Sequence, residues 1–181
     1  MAKIIVSDLP DMSLELPAGV YTVQVLSIDQ KPSKKFAPMD KLELQIIAPD
    51  VVSHAGANVQ AAGRKFDTYI SYNLKALKMS IAGLTKLGVP TPEEVDVPDE
   101  TEVQTGARTT IPEIQDFTKS LVGTRFEIQL RSEPIYETDN NRFDGNKVLV
   151  DGQPVIKGYS IRGDLSGVKS KALTPAGGSP F

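Results

Sequence analysis

The chain has no cysteine, no tryptophan and a single histidine among its 181 residues, and each scarcity removes a body of chemistry. Without cysteine there is no disulfide framework, no thiolate nucleophile and no cysteine-ligated zinc or iron–sulfur centre. His54 alone cannot build a multi-histidine metal site within one chain, so no metal or other cofactor is expected. Long apolar runs are missing too: Ile4 to Val6 is a three-residue run ahead of Asp8, and nothing approaches membrane-spanning length. These absences predict a soluble, cytoplasmic protein with no membrane partner.

What is present suits one globular domain. At 40% hydrophobic and 24% charged the chain can bury a core, and at this size folding removes roughly two-thirds of the unfolded surface. The net charge of −3 is unevenly spread. Glu93, Glu94, Asp96, Asp99, Glu100 and Glu102 stand together without a basic residue, so −6 lies in one stretch and +3 in the rest. Pro90, Pro92 and Pro98 interrupt that stretch, which reads as an acidic loop insertion at about 90–110. The acidic total therefore does not exclude an anionic partner, because a partner meets a local surface field. Basic residues gather at Lys31, Lys34, Lys35 and Lys41, around Phe36.

Periodicity gives the elements. Residues 19–29 (GVYTVQVLSID) read as a strand, with Tyr21, Val23 and Val25 on one parity and Leu26 and Ile28 on the other. Leu42, Leu44 and Ile46 alternate with Glu43 and Gln45 in a second strand, joined to the first by the basic loop. Residues 48–63 read as a long loop. Residues 64–72 (RKFDTYISY) then alternate, with Phe66, Thr68, Ile70 and Tyr72 on one face and Lys65, Asp67 and Tyr69 on the other. Leu74, Leu77, Ile81, Leu84 and Leu87 have helical spacing, with Asn73 as the cap and Gly88 as the stop; Lys75, Lys78 and Lys86 mark the solvated face.

Thr110 and Glu113 fit a capping box for a short second helix through Ile114, Phe117 and Leu121 to Gly123. Residues 125–131 (RFEIQLR) form the clearest half-buried strand. A polar loop with Tyr136, Arg142 and Phe143 leads to 148–150, and Asp151-Gly152 supplies the turn into a final strand over 155–161. The expected organisation is one domain over 1–163 and a flexible Gly/Ser/Pro-rich tail over 164–181.

Catalytic motifs are missing. There is no phosphate-binding glycine loop, nucleophile elbow or dinucleotide fingerprint. His54 lies among small residues as a bystander, and Arg142 occupies a position where a calcium loop around Asp144-Gly145 would need an oxygen ligand. The chain is not expected to be an enzyme.

The element order is that of an OB-fold: three strands, a helix, and two further strands closing a five-stranded Greek-key barrel. Such barrels bind oligonucleotides across strands two and three, between the loop joining strands one and two and the loop joining strands four and five. Both corresponding loops pair cations with an aromatic, as Lys34-Lys35-Phe36 and Arg142-Phe143. Lys34, Lys35, Arg64, Lys65, Arg131, Arg142 and Lys147 are expected to hold phosphates, and Phe36, Tyr69, Tyr136 and Phe143 to stack bases.

The runs Leu16-Pro-Ala-Gly-Val-Tyr-Thr-Val-Gln-Val, Leu42-Glu-Leu-Gln-Ile, Gly63-Arg-Lys-Phe, Leu84-Thr-Lys-Leu-Gly-Val-Pro and Leu121-Val-Gly-Thr-Arg-Phe-Glu-Ile resemble phage-encoded single-stranded DNA-binding proteins of the OB-fold type. The resemblance covers roughly residues 19–161 through short motifs. It implies sequence-independent binding and protection of single-stranded DNA during phage replication or recombination, in the host cytoplasm, with no catalysis. The ending Pro180-Phe181 echoes the partner-docking tip of bacterial single-stranded DNA-binding proteins, although no acid precedes it and Lys169 and Lys171 stand nearby. That echo implies contacts with replication or recombination proteins; a homo-oligomer is compatible with the same reading. The competing expectation is a phage structural or assembly protein without nucleic-acid binding, and a third is an OB-type module that binds protein or duplex DNA.

Overall fold

The computed structural model describes residues 14–32, 38–71, 74–89, 93, 94, 96, 118–140 and 145–173. Strands β1 (Gly19–Pro32), β2 (Pro38–Ala48), β5 (Lys65–Ser71), β6 (Arg125–Tyr136) and β9 (Ile156–Arg162) form one antiparallel sheet in the order β5-β2-β1-β6-β9. Short hairpins β3 (Val51–His54) with β4 (Ala57–Gln60), and β7 (Leu149–Val150) with β8 (Gln153–Pro154), lie outside it. Helix α1 (Leu74–Leu87) connects β5 to the segment that precedes β6. The sheet curls so that its two edges, β5 and β9, approach each other running parallel, with no ladder between them among the described residues. Among those residues no helix is long and apolar enough to cross a membrane.

Period-two alternation explains the core. Tyr21, Val23 and Val25 of β1, Leu42, Leu44 and Ile46 of β2, Phe66 and Ile70 of β5, and Phe126, Ile128 and Leu130 of β6 all point inward and are buried. A register shift between Val25 and Ser27 accounts for the change of parity in β1: the extra residue turns the strand so that Ile28 also packs on the core. Helix α1 buries Leu77, Leu84 and Leu87. It stops at Gly88, whose φ of +88° suits glycine, and Val89 N–H closes the end on the Leu84 carbonyl at 3.1 Å. The Asn73 cap and the proposed capping box fall outside the described residues. The end of that second helix is described at 118–119, where the buried Thr118 hydroxyl donates to Asp40 Oδ2 of β2 at 3.1 Å.

Three expectations need correction. Residues 48–63 are not all loop, because β3 and β4 form a hairpin turning at Ala55 and Gly56, both with positive φ. Alanine in a left-handed position hides a turn that Asn-Gly would have announced. The basic loop is shorter than 31–41, since β1 and β2 stay paired as far as Pro32 and Pro38; Lys41 is a strand residue. Residues 164–173 are not a free tail. Leu165 and Val168 are buried around a 3₁₀ turn (Leu165–Gly167), and Lys169, Ala172 and Leu173 donate backbone hydrogen bonds to Glu127, Leu87 and Arg125. Two buried side chains in an irregular segment leave no periodic signal. The turn predicted at Asp151-Gly152 is present, with φ of +51° and +77°.

Candidate nucleic-acid interface

The site grows from the open seam between β5 and β9. On β5, Lys65, Asp67 and Tyr69 point away from the buried Phe66 and Ile70, as the alternation predicts. Tyr69 is 41% exposed, a large ring presented to solvent at a strand edge. Across the seam, β9 contributes Tyr159, Ser160 and Arg162, and β6 contributes Arg131, Glu133 and Ile135. Three adjoining depressions follow this line. One is walled by Lys65, Tyr69, Ile135, Tyr159 and Arg162; the second by Tyr69, Arg131 and Arg162; the third by Tyr136, Lys147, Lys157 and Arg162. Arg162 borders all three and Tyr69 borders two, so they make one continuous track.

The electrostatics of the track are uneven. On the outer face of β2 and β5, Lys41 meets Asp67 at 3.4 Å and Lys65 meets Glu43 at 3.9 Å, a ladder of alternating charge that leaves this face nearly neutral. The hydrogen bond to Asp67 holds the Lys41 ammonium above its ordinary pKa. Positive charge instead collects along β6 and β9. Arg131 and Arg162 are direct cross-strand partners, and Glu133 bridges them at 2.8 and 3.2 Å. Its carboxyl is held below the usual range, first by the hydrogen bond from Arg131, so it stays ionised at neutral and mildly acidic pH. Farther along, the Lys147 ammonium sits 3.9 Å from the centroid of the Tyr136 ring, a cation–π pair at the foot of the β7–β8 hairpin.

The residues expected from sequence divide three ways. Lys65, Tyr69, Arg131, Tyr136 and Lys147 all border the track. Arg64 also lines the first depression, but it is 2% exposed and its Nη1 donates to the Leu14 carbonyl at 2.9 Å, so it straps the N-terminal segment to the core and is not the open phosphate contact expected from sequence. The one-residue step from Lys65 turns its side chain to the opposite face. Lys34, Lys35, Phe36, Arg142, Phe143, Pro180 and Phe181 lie outside the described residues. Among the described residues, Met39 of β2 pairs with Ser71 of β5, and Lys147 bridges Thr138. His54, read as a bystander, contacts Glu15 at 3.2 Å.

Sequence reasoning missed Tyr159 and Arg162. A strand was expected over 155–161, one residue short of Arg162, and what puts Arg162 opposite Arg131 is the ladder register, which alternation within a single strand does not report. No protein-family model matches the chain, and no curated protein matches it.

Proposed function

We propose that this chain binds and protects single-stranded DNA without sequence specificity, on an OB-type barrel, along the track between β5 and β9. The observation that carries the reading is the coincidence of topology and chemistry at the seam. Three antiparallel strands, a helix, a strand returning beside the first and a fifth beside that one is the connectivity of an OB-fold, which is a partly open barrel. Tyr69, Tyr159 and Tyr136 punctuate the track, and Arg131, Arg162, Lys147 and Lys157 accompany them. Aromatic faces stack on any base and cations meet a uniform backbone, so affinity arises without base readout. The paired charges on β2 and β5 support a reading in which a strand is attracted chiefly to the β6–β9 side, away from the strand-two face that the sequence indicated. A role in phage replication or recombination accompanies this reading through the resemblance given above.

The chain has no tryptophan and five tyrosines, so its intrinsic fluorescence reports on the track directly. Tyr21 is buried against the core and serves as an internal constant. Titration with oligo-dT is expected to quench part of the tyrosine emission in a saturable way, as rings stack on bases. Emission unchanged by oligo-dT at low salt would remove the reading.

One observation favours the protein-contact alternative: Leu149 and Val150, in the β7–β8 hairpin, are each 59% exposed. A chain that ignores nucleic acid would bring that hairpin, as a contact in an assembly, to the front.

A further inference from the structure

Directly opposed like charges on neighbouring strands repel, yet β6 and β9 place Arg131 and Arg162 as cross-strand partners. The arrangement is tolerable because one anion sits between them. Glu133 Oε1 accepts from Arg131 Nη2 at 2.8 Å and Glu133 Oε2 accepts from Arg162 Nε at 3.2 Å. Each guanidinium spends a single nitrogen on this contact and presents the rest of its donor fork outward. The trio is solvent-exposed, so its bonds are individually weak and exchangeable. Neighbouring acids are engaged elsewhere: Asp67 pairs with Lys41, and Asp164 accepts from the Ser166 backbone as the cap of the 3₁₀ turn.

We propose that Glu133 is a resident occupant of a phosphate site built by Arg131 and Arg162, displaced by a backbone phosphate when a strand enters the track. This deepens the single-strand reading and rests on it. A carboxylate and a phosphate diester each present two oxygens to a pair of guanidiniums, so the exchange conserves the hydrogen bonds while expelling the carboxylate into solvent. Displacement costs affinity, because the freed carboxylate must be solvated and gathers a cation, reducing by about one the counterions released on binding. Glu133 therefore sets an affinity threshold: a strand making several phosphate contacts along the track overcomes it, while a single small anion does not.

The test compares the full chain with Glu133→Gln and Glu133→Ala, using fluorescein-labelled oligo-dT of about thirty nucleotides over a range of salt. Both variants are expected to bind about three- to tenfold tighter than wild type at low salt, with the advantage fading at high salt. The slope of log K against log salt should steepen by about 0.7, the value of one additional single-strand phosphate contact. Thermal unfolding of each variant confirms that the fold is intact. Equal or weaker binding by both folded variants, with wild type still binding, would overturn the role of Glu133 and leave single-strand binding standing. Absence of wild-type binding at low salt would overturn both.

Discussion

Replacing Tyr69 by alanine and Tyr159 by leucine together is expected to weaken oligo-dT binding by at least about thirtyfold while leaving the fold in place. Each base stacked on an aromatic side chain contributes roughly 1–3 kcal/mol, so losing two rings removes about 2–6 kcal/mol where a factor of ten corresponds to 1.4. The replacements are unequal for a reason. Tyr69 is 41% exposed and its truncation opens no cavity, whereas Tyr159 is half-buried beside Ile161 and needs an apolar side chain to keep the seam filled. Salt dependence should be almost untouched, because neither residue meets a phosphate. Anisotropy measured at several salt concentrations separates the cases: lost affinity with a preserved slope identifies stacking, and unchanged affinity contradicts the placement of the site.

Gly83→Ala should lower stability by about 2–4 kcal/mol, against the propensity scale. In an exposed helix interior, alanine is better than glycine by about 1 kcal/mol. Here a Cβ on Gly83 would stand 2.1 Å from the carbonyl oxygen of Leu165 and 2.7 Å from its carbonyl carbon. Both are backbone atoms that cannot rotate away, so α1 and the 3₁₀ turn must separate, which exposes Leu165 and Val168. For a chain of this size each kcal/mol is worth about 2–4 °C in Tm, giving a fall of about 5–15 °C by circular dichroism. The turn follows Arg162 by only three residues, so its undocking would also loosen one wall of the track. A Tm equal to or above wild type would show that the helix and the turn are not in this close contact.

Much of the architecture was legible because burial was one-sided. Where one face of a strand meets the core, alternation reports it, as for Leu42-Glu43-Leu44-Gln45-Ile46 and for Phe126 to Leu130, and helical spacing reports Leu77, Leu84 and Leu87 in the same way. The β3–β4 hairpin escaped because Ala55 takes a conformation that sequence associates with asparagine or glycine. Docking of residues 164–173 escaped because backbone hydrogen bonds to Glu127, Leu87 and Arg125 hold it, and those carry no side-chain signature.

The site was legible only as far as single strands are. Tyr69 and Lys65 were placed on an outward face from the alternation of β5 alone. Arg64, one residue earlier, carries the same charge but is drawn inward by the Leu14 carbonyl, a partner 50 residues away in sequence. Arg131 gains its meaning from Arg162, and that pairing exists only in the register between β6 and β9. Composition indicated cations near aromatics; the ladder decided which of them meet.

The most direct test of the account is the anisotropy of labelled oligo-dT of about thirty nucleotides titrated with the full chain, against duplex DNA and RNA of equal length, from low to high salt. The account predicts saturable binding to oligo-dT, stronger than to duplex, with a log–log salt slope of about −2 to −4 for three to five phosphate contacts. Binding that is absent at low salt, or that favours duplex, would contradict it.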